Sequence, residues 1–276
     1  MNVLKLKYII PILFFGIFLS CNQNQNNENN NSESVENNDN NDKDASDLDN
    51  LENKMDQIMT DSDEVQGENH KDVNIIKAGD AKTVEVKLKM GAGKLKLSSG
   101  SSELLTAGFI FSDESGKPKI EYKVKGDNGY LLIKQHDSHN MNINQDDKYA
   151  WNLKFTESLP LSFNIEVGAG VSEIYLNDLQ IVNFDMNMGV GKTEIDMKGK
   201  WRKSAEVNLD GGIGLSVIHL PDDVGVILNI EKGLGSVDVK NMIKNNDSEY
   251  VNQAYSKSGT KIKINLKTGI GKIEVD

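Results

Sequence analysis

The chain has 276 residues and a net charge of −11, from 42 acidic residues against 31 lysines and arginines. Fourteen of the acidic residues lie between positions 22 and 70, where only two lysines oppose them, so the rest of the chain is close to neutral. Such a chain lacks the basic patch that nucleic-acid binding requires. The single cysteine also excludes a disulfide framework.

The first twenty residues have the pattern of a secretory signal peptide. Two lysines precede the apolar run Tyr8–Leu19, which is too short for a membrane-spanning helix. The sequence Phe18-Leu19-Ser20-Cys21 then resembles the lipobox of bacterial lipoproteins, with Phe18 where leucine is usual. We therefore expect residues 1–20 to be a lipoprotein signal peptide. Acyl chains such as palmitate on Cys21 would anchor the protein to the outer or plasma membrane, on the extracytoplasmic side of the bacterial envelope.

The following segment, residues 21–75, is rich in asparagine and aspartate. Eleven of the 21 residues from Asn22 to Asp42 are asparagine. A segment with so little apolar surface cannot offset the entropy that it would lose on ordering. The composition therefore predicts a disordered tether over residues 21–75, which holds a folded part away from the membrane.

An N-terminal β region is predicted over residues 76–136. Val84, Val86, Leu88 and Met90 alternate with polar residues, as in a strand with one buried face. Apolar runs bounded by turn residues predict further strands at 104–111, 120–124 and 130–135. The polar segment 136–148 is predicted to be a loop.

A Gly-x-Gly unit followed by alternating apolar residues occurs six times, once at Gly91 and five times in a second region, residues 150–276, which it organises. From the second copy onward the first glycines are 21, 23, 21 and 36 residues apart, and the longest gap holds a polar insertion at about 241–259. A recurring unit of this length indicates a repeat architecture. The glycines that we predict to be structural corners are Gly91, Gly93, Gly168, Gly170, Gly189, Gly191, Gly212, Gly214, Gly233, Gly235, Gly269 and Gly271.

The spacing of apolar residues across each unit indicates what these glycines do. Val167 and Ile174 are seven residues apart, and the corresponding separations in the other copies are also odd. Because side chains in a strand alternate with period two, an odd step moves the apolar set to the other face unless the backbone turns. We therefore expect a corner or bulge at each Gly-x-Gly, where glycine accepts a positive φ.

Two all-β arrangements fit this repeat: a single-stranded β-solenoid-like stack, and an antiparallel meander with Gly-x-Gly at the hairpin tips. A column of polar residues, four positions before each first glycine, favours the solenoid, because amide ladders form between parallel strands in register. The column comprises Asn164, Asp185, Asn208, Asn229 and Asn265. The unit length also matches one solenoid coil, which buries its apolar face by stacking on its neighbours.

No motif predicts catalysis, a cofactor or a metal site. Gly191-Lys192-Thr193 matches the end of a phosphate-binding loop, but Met186 stands where that loop needs a glycine and no helical pattern follows. Asp210–Gly214 is similar to calcium-binding solenoid repeats, but it lacks their aspartate after the last glycine. The acidic and histidine residues of the polar segment 136–148 are a weaker metal candidate, since surface loops collect such residues by chance.

A second outward column is predicted five residues after each first glycine. It comprises Glu173, Glu194, Val217, Asp238 and Glu274. Stacked carboxylates about 5 Å apart repel each other, so the column needs counter-charge or a cationic ligand. Lys192 and Lys272 lie beside it and favour a self-compensated, solvated face. The alternative is an acidic strip that binds cations or cationic peptides.

Several short segments resemble a known family. Gly91–Leu97, Leu104–Phe109, Pro118–Tyr122 and Gly129–Gln135 look like the N-terminal toastrack domain, whereas Trp151–Leu153, Leu159–Leu161 and the Gly-Ala-Gly repeats resemble the β-repeat region of LiaF-like proteins and related putative adhesins. The resemblance covers about residues 80–276. It implies an all-β domain at the bacterial envelope, linked to the response to cell-wall-active antibiotics, without assigned catalytic residues. The predicted lipid anchor and tether stand where LiaF-like proteins have transmembrane helices.

The sequence therefore predicts a lipid-anchored envelope protein that is not an enzyme. Its β-solenoid domain would bind an envelope protein or a glycan, in envelope stress response or adhesion. The alternative is a structural scaffold that self-assembles through the open ends of the stack. A polysaccharide-active enzyme is a third, less favoured interpretation.

Overall fold

The computed structural model describes residues 70–112, 116–135 and 149–276. The predicted signal peptide, Cys21, the tether up to residue 69 and the segment 136–148 lie outside these ranges. Within these ranges the secondary-structure elements are all strands, and they form one sheet. No helix among the described residues is long and apolar enough to cross a membrane. The strands are β1 (His70–Ile76), β2 (Thr83–Ser99), β3 (Leu105–Phe111), β4 (Lys119–Lys125), β5 (Asn128–Lys134), β6 (Ala150–Phe155), β7 (Pro160–Tyr175), β8 (Gln180–Asp196), β9 (Ala205–His219), β10 (Gly225–Val239), β11 (Ile243–Lys244), β12 (Glu249–Val251) and β13 (Lys261–Val275).

Six long strands, β2, β7, β8, β9, β13 and β10, form the body of the molecule. Each pairs with the next in parallel and in register, with one register shift near the start of β7 and β8. The second glycines of the six Gly-x-Gly units therefore lie side by side, in the order Gly93, Gly170, Gly191, Gly214, Gly271, Gly235. This pairing confirms the predicted solenoid-like stack and excludes the meander for these strands.

At the end of the stack that follows β9, the long strands do not lie in the order in which they occur along the chain. The C-terminal strand β13 lies between β9 and β10, so β10 and not the last copy ends the stack. The polar insertion forms β11 and β12, and β12 pairs antiparallel with the first half of β10, at residues 227–229.

The other end of the stack divides at β2. Its first half, residues 83–89, pairs in parallel with β5, whereas its second half, residues 94–99, pairs in parallel with β6. β4 continues the sheet beyond β5, and β3 and then β1 continue it beyond β6, all antiparallel. β1 begins at His70, so the last six positions of the predicted tether belong to a strand.

Both halves of the long strands contribute to a single apolar core. In β7 the buried side chains before the corner are at odd positions, 161 to 167. After it, Val171 next to the corner is 8% exposed, and Ser172 and Ile174, at even positions, are 0–1% exposed. The parity of burial thus changes at Gly-x-Gly, in the direction that the odd spacing predicts. Phe163 packs at 5.0 Å from Phe155 and 5.8 Å from Phe184, measured between ring centres. Burial of each such ring stabilises the fold by about 1.5–3 kcal/mol.

Candidate functional site

The corners bring neighbouring backbones unusually close together. In β8 the second glycine, Gly191, has a φ of 149°, which side chains rarely adopt, and a Cβ there would lie 1.8 Å from the carbonyl oxygen of Gly170. A Cβ on the first glycine, Gly189, would lie 2.4 Å from the carbonyl oxygen of Gly168. Glycine is therefore required by close approach at both positions and, at the second, also by the backbone conformation.

The residues after this corner are not arranged to bind phosphate. Gly191, Lys192 and Thr193 lie within the extended strand β8 rather than before a helix. The Thr193 hydroxyl is buried and donates a hydrogen bond to Met188 Sδ at 3.1 Å. Lys192 Nζ lies 3.8 Å from Glu194 Oε2. The hydroxyl and the ammonium therefore point to different surroundings, and the site cannot hold a nucleotide phosphate in the way a phosphate-binding loop does.

The polar column before the corners forms a hydrogen-bonded ladder across the stack. Asn229 donates to Asn265 at 3.1 Å, Asn265 donates to Asn208 at 2.7 Å, and Asn208 donates to Asp185 at 2.7 Å. All three bonds run in one direction and end on the Asp185 carboxylate, which also accepts from Asn183. An ionised acceptor strengthens the bond that it receives, so Asp185 is suited to end the chain of amides.

The ladder does not continue from Asp185 to Asn164. The Asn164 side-chain oxygen is buried and has no hydrogen-bond partner, although Asn164 lies beside Asp185 in the sheet. The amides donate one after another toward Asp185, and its carboxylate has no proton to donate onward, so this run of donors ends there. Leaving a buried acceptor unpaired costs about 1–3 kcal/mol. This position is therefore a local weakness on the outer face.

The acidic column after the corners is largely compensated by lysines. Lys94 lies 2.8 Å from Glu173, and Lys272 lies 2.7 Å from Glu274. Glu194 and Asp238 have Lys192 and Lys240 at 3.8 Å and 3.6 Å. Each carboxylate thus has its own cation at or near the same strand, which supports the self-compensated interpretation over an acidic strip that binds cations.

A further polar row lies beside this column and was missed by the sequence reasoning. It aligns Tyr175, Asp196, His219 and Asp276, which are neighbours in register or hydrogen-bonded across the last strands. His219 Nδ1 bonds to Asp276, and its Nε2 lies 3.7 Å from Glu194. Burial raises the pKa of the Tyr175 hydroxyl, and the negative charge of neighbouring carboxylates raises it further. The row could not be assembled from the sequence, because Asp276 reaches His219 only through the insertion of β13 beside β9.

A groove of about 630 Å³ lies on the outer face of the first strand halves. It crosses β4, β5, β2, β7 and β8, and we call it the outer groove. Its outward-facing side chains are those of Glu85, Lys87, Glu121, Lys123, Tyr130, Leu132, Ser162, Asn164, Asn183 and Asp185. A shallower recess of about 370 Å³ continues along the amide ladder over Asn208 and Asn265. Most of these side chains are polar or charged, and one aromatic ring among them, Tyr130, is 37% exposed.

Charges of both signs are balanced around the outer groove. The hydrogen bond and charge of Lys119 hold the pKa of the Glu121 carboxyl below its ordinary value. Lys87 and Lys89 both approach Glu166, at 3.5 Å and 2.8 Å. A face of this kind offers many hydrogen-bond donors and acceptors but little net charge. It suits a polar ligand of low net charge better than a polyanion or a polycation.

In the ranges that the structure describes, no group of three or more histidine, cysteine or acidic residues is placed to hold a metal ion. The weaker metal candidate in the segment 136–148 lies outside these ranges, as does Cys21.

Comparison with known proteins finds two matching families. The N-terminal domain of toast_rack, DUF2154, matches residues 61–219, more than half of the chain. The C-terminal domain of LiaF, of the cell wall-active antibiotics response, matches residues 170–275. These matches confirm the resemblance seen in the short segments. No curated protein matches the chain.

The chain is also similar to solved structures. A putative cell adhesion protein from Clostridium sporogenes ATCC 15579 is 30% identical, with a TM-score of 0.74 over 75% of this chain and 99% of that protein. Putative adhesins from Bacteroides fragilis NCTC 9343 and Parabacteroides merdae ATCC 43184 are each 13% identical over 76% of this chain. They are covered to 97% and 82%, with TM-scores of 0.31 and 0.30, which are too low to support an inference.

Proposed function

Because the chain belongs to the toast-rack family, we propose that it is a lipid-anchored bacterial envelope protein whose β stack binds another component of the envelope. The matched families and the similar solved structure fit a non-catalytic β domain in envelope stress or adhesion. We further propose a lipid anchor on Cys21 and a specific surface of the stack that binds the partner.

The anchor rests on the position of Cys21 directly after an apolar signal-like segment. A diacylated cysteine with a third chain on its amino group would hold the protein on a membrane, since each buried CH₂ contributes about 0.8 kcal/mol. About fifty residues separate Cys21 from β1, which on a coil estimate allows the stack to stand several nanometres from the lipid surface. The stack could then reach partners elsewhere in the envelope.

The outer groove is the observation that supports a binding surface. It crosses five strands, and it combines an exposed aromatic ring with amide and carboxylate groups. Four of these strands, β5, β2, β7 and β8, are hydrogen-bonded on both sides and hold their groups in fixed positions, so a ligand meets a preorganised surface. We assign partner binding to this groove, with an envelope protein or a glycan as the ligand.

The anchor is tested by lipid labelling. Cells that express the full chain are grown with a labelled fatty acid, and the chain is compared with Cys21→Ser after membrane fractionation. We expect label and membrane association for the unaltered chain and loss of both in Cys21→Ser. Unlabelled full chain in the soluble fraction would rule out the lipid anchor and leave the groove proposal standing.

The groove is tested with Tyr130→Ala/Glu85→Ala, which removes the ring and an adjacent outward carboxylate. The control is Ile243→Ala, a 55% exposed residue in β11 at the far end of the stack. Tagged full chains are used to recover partners from envelope extracts of antibiotic-stressed cells and to sediment with purified cell-wall glycan. We expect the double variant to lose the partner that the control retains. Equal recovery by the unaltered chain and both variants would exclude the groove.

A further inference from the structure

The described part of the sheet has four free edges, and three of them carry features that prevent pairing. β4 has lysines at 119, 123 and 125 along its seven residues, and charged side chains discourage another strand from adding. β11 has only two residues. In β1, Asp72 faces the same side as Ile76, which packs on the core, and an inward charge on an edge strand has the same protective effect.

The fourth edge is the second half of β10, and it carries none of these features in its centre. β12 covers β10 only at residues 227–229, so residues 231–239 pair with β13 on one side and with no described strand on the other. The five residues Gly233–Val237 are uncharged. The Lys232 ammonium donates a hydrogen bond to the Gly235 carbonyl oxygen at 3.0 Å. A neighbouring strand could donate to this oxygen in place of the lysine.

The core is incompletely covered at this edge. In the row that crosses the stack at Val239, the neighbours Leu97, Ile174, Ile195, Ile218 and Val275 are all between 0% and 2% exposed. Val239 itself is only half-buried, and so is Val237. Leu234 is 71% exposed, against 43–44% for the equivalent corner residues Val190, Ile213 and Ile270. Stacked repeats need a polar cap at each end. Here β12 caps only the first half of β10.

We propose that this open edge, residues 233–239 of β10, pairs with the same edge of a second copy of the chain. Two identical strands related by a twofold axis run antiparallel, and the same patch serves on both molecules. Within residues 235–239, two registers keep the inward-facing Val237 and Val239 opposite inward-facing positions of the partner. One places Asp238 opposite Asp238, and like charges directly opposite each other destabilise the pair.

The other register places Val237 opposite Val237 on the axis. Each Asp238 then lies opposite a Ser236 hydroxyl, which can donate to it, and each Leu234 lies opposite the aliphatic chain of Lys240. The edge is therefore complementary to itself in both polarity and apolar surface, which favours a second copy over an unrelated strand. The overlap is short and the interface falls below the size of stable complexes, so association in solution is weak and is strengthened where copies share one membrane.

Association is measured on the full chain carrying Cys21→Ser, which leaves no other cysteine, by sedimentation equilibrium from about 1 to 500 μM. We expect a reversible rise from the mass of one chain towards two. Leu234→Lys places like charges opposite each other and is expected to weaken the dimer at least tenfold, whereas Val190→Lys, an exposed corner residue away from the edge, leaves it unchanged.

Cross-linking tests the register. In the same background, Val237→Cys is expected to form a disulfide-linked dimer on mild oxidation, whereas Asp238→Cys is not. A monomer at every concentration overturns the proposal, as does a dimer that Leu234→Lys does not weaken or a cross-link at 238 alone. Amide protection of residues 236–239 in a monomer would show that another segment of the same chain covers the edge, and would also overturn it.

Discussion

Replacing the second glycine of a corner by alanine should destabilise the stack severely, whereas the same change three residues earlier in the same strand should not. In β9, Gly214 has a φ of 145°, and a Cβ there would lie 1.7 Å from the carbonyl oxygen of Gly191 in the neighbouring strand. At Gly211 the nearest atom to an added Cβ is 3.6 Å away, an ordinary contact, and φ is not in the left-handed region.

The two penalties at Gly214 can be estimated separately. A side chain forced into a conformation that only glycine populates costs about 1–3 kcal/mol. Relief of the contact with the Gly191 oxygen requires the backbones to separate by more than about 1 Å, and at least two inter-strand hydrogen bonds are lost at about 1 kcal/mol each. Gly214→Ala should therefore lower the free energy of unfolding by about 3–5 kcal/mol, a large part of the 5–15 kcal/mol that holds most domains.

The assay is thermal and urea denaturation of the full chain with Cys21→Ser, followed by circular dichroism. For a folded part of this size, about 3–5 kcal/mol corresponds to a fall in Tm of roughly 6–20 °C. Gly211→Ala should change Tm by no more than a few degrees, and upward if anything, because alanine reduces the entropy of the unfolded chain. Similar Tm values for the two variants would refute the explanation of the corners by close approach and backbone conformation.

Two further predictions concern the outer face. Asn208→Ala removes two 2.7 Å ladder bonds and interrupts the ladder between Asn265 and Asp185, so we expect a loss of about 1–3 kcal/mol in urea unfolding. The exposed Asn187 is the control, and Asn187→Ala should stay within about 0.5 kcal/mol; equal effects would contradict a role for the ladder. Hydrogen bonding to Lys89, together with the charges of Lys89 and Lys87, lowers the pKa of Glu166 below 4.5, against the opposing effect of burial. Its contribution to stability is therefore complete above about pH 4.5 and disappears as the pH falls through the lowered pKa, and Glu166→Gln should reduce the slope of stability against pH in that range. An unchanged slope would show that the pair does not stabilise the fold.

Of the polar features on the outer face, the amide ladder could be predicted from the sequence, whereas the outer groove and the row through His219 could not. The amide ladder was predicted from the fixed offset of its members before each first glycine, and three of its bonds are present. The outer groove was not predicted, because Tyr130 belongs to a hairpin whose distance along the chain from Asn164 gives no indication that β5 pairs with β2. The row through His219 depends in the same way on a contact with Asp276 that is remote in sequence.

By itself the sequence determined the unit of the fold and its register. An odd apolar step across each Gly-x-Gly requires the backbone to turn, since side chains alternate with period two along a strand. Equal offsets of polar residues from the glycines favoured parallel, in-register neighbours over a meander. The order of the units was decided only in the tertiary structure. Every unit presents nearly the same two edges and the same inward face, so local pattern does not distinguish β9–β10 from β9–β13 pairing. The long insertion before β13 gives the chain enough length to return between them, and that choice leaves half of β10 as the open end of the stack.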